Sequence, residues 1–116
     1  MNNKPIIIVA GEPNSIFSEI FFKALKKYKP KRPIILIISE KLLSKQLDAM
    51  NTKIKFNVVN KKNFFKKQIK LKKINIFNID YIFKKPFEKI SHKSKSYITE
   101  CFDTAIKIMK KKRLLD

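Results

Sequence analysis

Glycine is almost missing from this chain. Gly11 is the single one in 116 residues, beside no tryptophan, one cysteine, one histidine and two arginines. Each scarcity removes a class of function. A dinucleotide-binding fingerprint needs closely spaced glycines, and Gly11 has no partner two or five residues on; the Gly-Lys-Ser/Thr ending of a phosphate-binding loop is missing too. Cys101 has no second cysteine to close an internal disulfide and no companion for a metal site. His92 stands in the polar run Ser91–Ser96 with no second ligand at helical or loop spacing, so it reads as a solvated side chain. The longest apolar runs, Pro5–Ala10 and Pro33–Ile38, fall far short of the roughly 20 residues that cross a bilayer. No signal-peptide cleavage site follows the first run, and a lone thiol suits a reducing compartment. The expected location is cytoplasmic, with no membrane partner.

What is plentiful is lysine. The net charge is +19, and 26 of the 28 cationic residues are lysine; Arg32 and Arg113 are the only arginines. Phosphate contacts need many cations, so a small basic RNA- or polyanion-binding protein is one reading. Arginine, however, carries the planar fork that reads phosphate and guanine bidentately. Lysine, isoleucine, phenylalanine and asparagine together make up 64 of the 116 residues, and all four have A/T-rich codons. A biased genome accounts for the charge, the isoleucine excess and the glycine scarcity at once. Nucleic acid is therefore not the expected partner. Phe64 and Phe65, set among Lys61, Lys62, Lys66 and Lys67, serve as an apolar anchor for a basic loop as well as they would stack on bases.

Apolar periodicity gives the organisation. Pro5–Ala10 is a continuous β-branched run, as expected of a strand buried on both faces. After a turn at Gly11–Asn14, apolar residues recur at Phe17, Ile20, Phe21, Ala24, Leu25 and Tyr28, with Ser15 placed as an N-cap. A second strand, Ile34–Ile38, leads through Ser39 as a cap into a helix with Leu43, Leu47 and Met50 inward. Lys53–Val59 alternates as a third strand, Asn60–Lys73 is a loop or short helix, and Ile74–Phe83 alternates weakly as an extended segment. Pro86–Lys95 reads as a polar linker. Ser96–Lys112 reads as an amphipathic helix with Ile98, Phe102, Ala105, Ile106 and Met109 inward, and Cys101 buried as a small apolar residue. The β-α-β-α-β order marks the α/β class, a partial parallel-type sheet with crossover helices. Leu114 and Leu115 stand where a next strand would begin, so residues 1–116 are expected to form a single incomplete α/β domain, the amino-terminal fragment of a longer enzyme.

The turn after the first strand lies where open α/β sheets bind ligands. Here it reads Gly11-Glu12-Pro13-Asn14-Ser15-Ile16-Phe17-Ser18-Glu19-Ile20. This opening resembles the 4-hydroxythreonine-4-phosphate dehydrogenase family of vitamin B6 (pyridoxal phosphate) biosynthesis, whose members follow the first strand with Gly-Asp/Glu-Pro and then Ala-Gly-Ile-Gly-Pro-Glu. Gly11, Glu12 and Pro13 match, as do Ile16 and Glu19. Lys23-Ala24-Leu25, the second strand, Ser39, Leu42 and Leu43 also look like the family, and weaker similarity runs on to Ala105. Asn14, Ser15, Phe17 and Ser18 depart from it, standing where the family has Ala, Gly, Gly and Pro. The resemblance implies the amino-terminal part of an isocitrate/isopropylmalate-dehydrogenase-like fold, and a homodimer that oxidises a phosphorylated amino acid, 4-phosphooxy-threonine, with NAD. It implies a divalent metal (zinc, magnesium or cobalt) held by three histidines. It places no catalytic residue and no metal ligand within this chain, which alone would be inactive, and offers Gly11, Glu12, Pro13 and Glu19 as cofactor-contacting. Glu19 also fits a plainer role as a favourable charge in a helix's first turn.

Overall fold

One β-branched run, Ile34–Ile38, lies in the middle of a sheet, because residues apolar on both sides of a strand need cover on both faces. The structure, a computed structural model, describes residues 4–59 and 69–110. Phe64, Phe65, the neighbouring lysines at 61, 62, 66 and 67, and Leu114–Asp116 lie outside the described residues. Among the described residues there are four strands: β1 (Ile6–Val9), β2 (Ile34–Ile38), β3 (Phe56–Val58) and β4 (Ile74–Asn78). They pair in the order β1-β2-β4-β3, all parallel. Three helices accompany them: α1 (Phe17–Lys27), α2 (Glu40–Ala49) and α3 (Lys95–Lys110). The α/β class and parallel sheet expected from the sequence are therefore present.

Strand β2 is buried along its whole length, and alternate residues serve two cores. Ile34, Leu36 and Ile38 face a cluster with Phe22, Leu43 and Leu47, contributed by α1 and α2. Ile35 and Ile37 face another with Tyr97, Cys101, Ala105 and Ile108, contributed by α3. The molecule is a three-layer α/β/α arrangement, and each fully buried isoleucine contributes roughly 2–3 kcal/mol of transfer free energy.

The sequence reading needs correcting in several places. Among the described residues strand β1 is at the sheet's edge, paired with β2 and half covered, with Ile6 exposed. Strand β4, expected only as a weakly alternating extension, sits at the sheet's centre between β2 and β3. In α1, Ile20 and Tyr28 face solvent while Phe22 is buried. Helix α3 turns a neighbouring stripe inward: Tyr97, Cys101, Ala105 and Ile108 are buried, whereas Phe102, Ile106 and Met109 are half exposed. At 100° per residue these two stripes adjoin and share Ala105. The choice between them is made by the Tyr97 hydroxyl, which accepts a 2.8 Å hydrogen bond from the Ser39 amide at the end of β2. Burial of Cys101 agrees with expectation.

Asn75 explains why β4 reads poorly as a core strand. It is fully buried, and its amide ties three strands together. Its Nδ2 donates to the carbonyls of Ile34 (2.9 Å), Lys70 (2.9 Å) and Lys73 (3.3 Å). Its Oδ1 accepts from the Lys70 amide (2.8 Å) and from Asn57 Nδ2 on β3 (2.9 Å). One polar side chain thereby satisfies the turn into β4. Asparagine replaces glycine elsewhere too: Asn51, just past α2, has φ +51°, the left-handed conformation that a helix end most often gives to glycine.

Two stability predictions follow from this packing. Ile108→Lys buries a charge and should cost about 3 kcal/mol or more, while Ile106→Lys should stay within about 0.5 kcal/mol, as judged by urea titration. The reverse ranking would return α3 to the face expected from its sequence. Asn75→Ala strands several buried partners and should cost about 3 kcal/mol. A loss below about 1 kcal/mol would mean that water replaces the amide.

Candidate functional site

The carboxyl edge of the sheet gathers the turn after β1, the start of α2 and the segment between β4 and α3. Gly11 opens the turn at φ +74°, a conformation that disfavours any side chain, even though no atom lies within 4 Å of where a Cβ would stand. Glu12 then folds inward. Its Oε1 accepts from the Asn14 amide (3.1 Å) and its Oε2 from the Ser94 hydroxyl (2.9 Å). Pro13 is buried, and its carbonyl accepts from Gln46 Nε2 at 2.8 Å. Gln46, itself buried on α2, also donates to the Pro86 carbonyl (2.9 Å), and its Oε1 accepts from the Ser18 hydroxyl. One glutamine side chain thus joins the turn, α1 and the segment before α3.

The expected cap at Ser15 is shifted. The N-cap position of α1 is Ile16, which has no side-chain acceptor, while Ser15 Oγ accepts from the Phe17 amide (3.3 Å) and donates to the Glu12 carbonyl (2.8 Å). The start of α2 is closed by three groups. Ser39 Oγ accepts from Leu42 (3.2 Å), as its sequence position suggests, Asn78 Oδ1 accepts from Glu40 (2.8 Å), and Tyr97 receives the Ser39 amide.

Of the four sequence-derived candidates, the structure joins Gly11, Glu12 and Pro13 in one turn and sets Glu19 apart. Glu19 lies in the first turn of α1, about half exposed, and pairs with Lys23 at 3.2 Å, one helical turn on. The sequence missed Ser94, Gln46, Glu88 and Tyr81. The segment Pro86–Lys95 is not a plain linker: it lies over the edge, and a 3-10 turn at His92–Ser94 buries Ser94. A signal was present in Ser91, whose Oγ accepts from the Lys93 amide (3.3 Å) as a cap to that turn. His92 is exposed at its start.

Each departure from the resembling family's turn has a contact of its own. Asn14 Oδ1 accepts from the Glu88 amide (3.0 Å), and Asn14 also hydrogen-bonds Tyr81. Ser15 bonds Glu12, Phe17 stacks on Phe21 with ring centres 5.3 Å apart, and Ser18 bonds Gln46. Side chains do here what backbone proximity does around a glycine.

Two carboxylates, Glu12 and Glu88, face this edge among several lysines. Glu88 has its carboxyl held below the usual range by backbone donors, Lys84 N–H at 2.6 Å and Lys85 N–H at 3.1 Å, helped by the Lys93 ammonium at 3.9 Å. Tyr81 is pushed up by burial, against its Asn14 bond, with the Glu88 and Glu12 charges adding to the rise. Tyr97 is pushed far above the tyrosine range by burial, so its hydroxyl stays un-ionised. A carboxylate has about four lone-pair positions, and Glu12 retains acceptor capacity for hydroxyl donors such as those of a ribose. Among the described residues, no three His, Cys, Asp or Glu side chains stand together to hold a metal ion. None of the helices so described is long and apolar enough to cross a membrane. In comparisons with known proteins, no family model and no curated protein matches the chain.

The Glu88 geometry sets a pH dependence. A carboxyl whose folded-state pKa is depressed adds stability above its ordinary value, and that stability is lost as pH falls through the depressed one. Carbon-13 NMR should place the Glu88 midpoint below the ordinary value of about 4.3, and Glu88→Gln should blunt the loss of stability on acidification below about pH 4. A midpoint at or above the ordinary value would show that the Lys84 and Lys85 amides do not bind the charge.

Proposed function

We propose that this chain forms the amino-terminal α/β unit of an NAD-dependent, divalent-metal-dependent dehydrogenase of the 4-hydroxythreonine-4-phosphate type, with an isocitrate/isopropylmalate-dehydrogenase-like fold and a homodimeric, cytoplasmic full-length enzyme. The observation that carries this reading is the Gly11-Glu12-Pro13 turn. It leaves a strand of a parallel sheet at the carboxyl edge, opens with a left-handed glycine and leads straight into a helix. Glu12 and Pro13 are held rigidly there by Ser94 and Gln46, so the turn presents a fixed surface to a bound molecule.

The role suited to Glu12 is that of a hydroxyl acceptor, because a carboxylate accepts hydrogen bonds and repels phosphate. Gly11 and Pro13 contribute shape, and Glu19 contributes charge to the start of α1. Lewis-acid chemistry would come from a metal whose ligands the resemblance places outside this chain, so no metal-dependent step is assigned to these residues. The rival reading, a basic RNA- or polyanion-binding protein, rests on the net charge of +19 and on the aromatics interleaved with lysines.

Two preparations test the proposal. The gene read beyond codon 116 should continue in frame into histidine-bearing segments, and its full product should reduce NAD with 4-phosphooxy-threonine. The 116-residue chain should do neither this nor bind zinc stoichiometrically. Turnover by the short chain, or an inactive full product that binds RNA selectively at physiological salt, would overturn the assignment.

A further inference from the structure

The opposite, amino edge of the sheet carries an open groove of about 1190 Å³, at or above the usual size of a small-molecule cleft. Its walls come from the segments that enter β2, β3 and β4 and from the end of α1. Leu25, Ile34, Ile54, Leu71 and Ile74 form an aliphatic floor, and Lys29, Lys31, Arg32, Lys55, Lys72 and Lys73 stand around it. Six of the twelve lining residues are cationic, twice the proportion in the whole chain (28 of 116), and none is acidic. Codon bias raises lysine everywhere, so it does not explain this concentration. Arg32 is fixed by donating its Nε–H to the Lys4 carbonyl at 2.7 Å. The ion pairs seen among the described residues, Lys23–Glu19 and Lys93–Glu88, lie elsewhere.

Four of the nine acidic residues, Glu12, Glu40, Asp80 and Glu88, lie in carboxyl-edge turns or helix starts, and Asp48, near the end of α2, is not among the residues lining the groove. An uncovered aliphatic floor calls for an apolar occupant, and an uncompensated cationic rim calls for an anionic one. None of the described residues that line the groove is aromatic, so these walls offer no ring on which a base could stack. Lysine stems add apolar wall while their ammonium groups reach the rim. We infer that the amino-edge groove binds an amphiphilic anion, an aliphatic chain bearing a carboxylate or phosphate head. The tail lies on Leu25, Ile54 and Leu71, and the head is held by Lys31, Lys72 and Lys73. This site is independent of the turn at the carboxyl edge and of the activity proposed for it.

Isothermal titration of the 116-residue chain with dodecanoate, dodecyl phosphate, dodecanol and inorganic phosphate tests the assignment. One or both dodecyl anions should bind saturably as a single molecule per chain, and dodecanol and inorganic phosphate should each bind about tenfold or more weakly. Comparing the two dodecyl anions identifies the preferred head. Lys31→Gln/Lys72→Gln/Lys73→Gln should weaken the anion about tenfold, as should Leu71→Asn, a change at a half-exposed position that leaves the core intact. The charge-matched Lys84→Gln/Lys85→Gln/Lys107→Gln, away from the groove, should leave binding within about twofold. Equal loss in both triple variants, equal binding of dodecanol, saturation by inorganic phosphate alone, or displacement by an oligouridylate would each overturn it.

Discussion

Everything in this fold hangs on one pairing, that of β2 with β4. Both strands are buried on both faces, and parallel strands of that kind are stable only inside a sheet covered above and below. The register sets Ile34 beside Ile74 and Leu36 beside Ile76, and all four are buried. Because α1 and α2 cover one face and α3 the other, neither layer is dispensable. The polar groups that enter this core do so as connectors: Asn75 at one end of the strands, with Tyr97 and Ser39 at the other.

The same pairing explains what could and could not be read from the sequence. β2, α1, α2 and the Ser39 cap were legible because each is signalled locally, by a β-branched run, a helical repeat or a capping residue. β4 was not, since Asn75 and Asn78 interrupt its apolar pattern and their partners lie up to about 40 residues away. The inward face of α3 was misread for a related reason. Hydrophobicity favours Phe102 and Ile106, whereas the face is settled by a hydroxyl bond to an amide 58 positions distant in the chain. At the carboxyl edge, Gly11, Glu12 and Pro13 were visible as a turn; Ser94, Gln46 and Glu88 were not, because only the tertiary fold brings them there.

The turn itself shows how a glycine-poor chain builds a tight corner. Where small residues would let backbones approach, Asn14, Ser15 and Ser18 supply hydrogen bonds, and Phe17 supplies a stacked ring. The corner becomes specific to its neighbours: Asn14 needs Glu88, and Ser18 needs Gln46. Such a turn is stiffer than a glycine-rich one and less tolerant of single changes, since each side chain removed leaves a partner unsatisfied. The chain keeps its one glycine where φ is positive, and uses asparagine at the other left-handed position among the described residues.

The insertion of β4 between β2 and β3 has a consequence for how the chain is made. A ribosome delivers β1, α1 and β2 first, and β2 then waits for a partner roughly 40 residues behind it, which at about 5–20 residues per second means a few seconds. Throughout that interval Ile34–Ile38 is a bare strand edge, the kind of surface on which nascent chains stick to one another. Lys29, Lys31 and Arg32 precede it and Lys41 and Lys45 follow, so the segment emerges flanked by like charges. Whatever compositional drift put those cations there, they serve as gatekeepers for the strand edge that waits for β4.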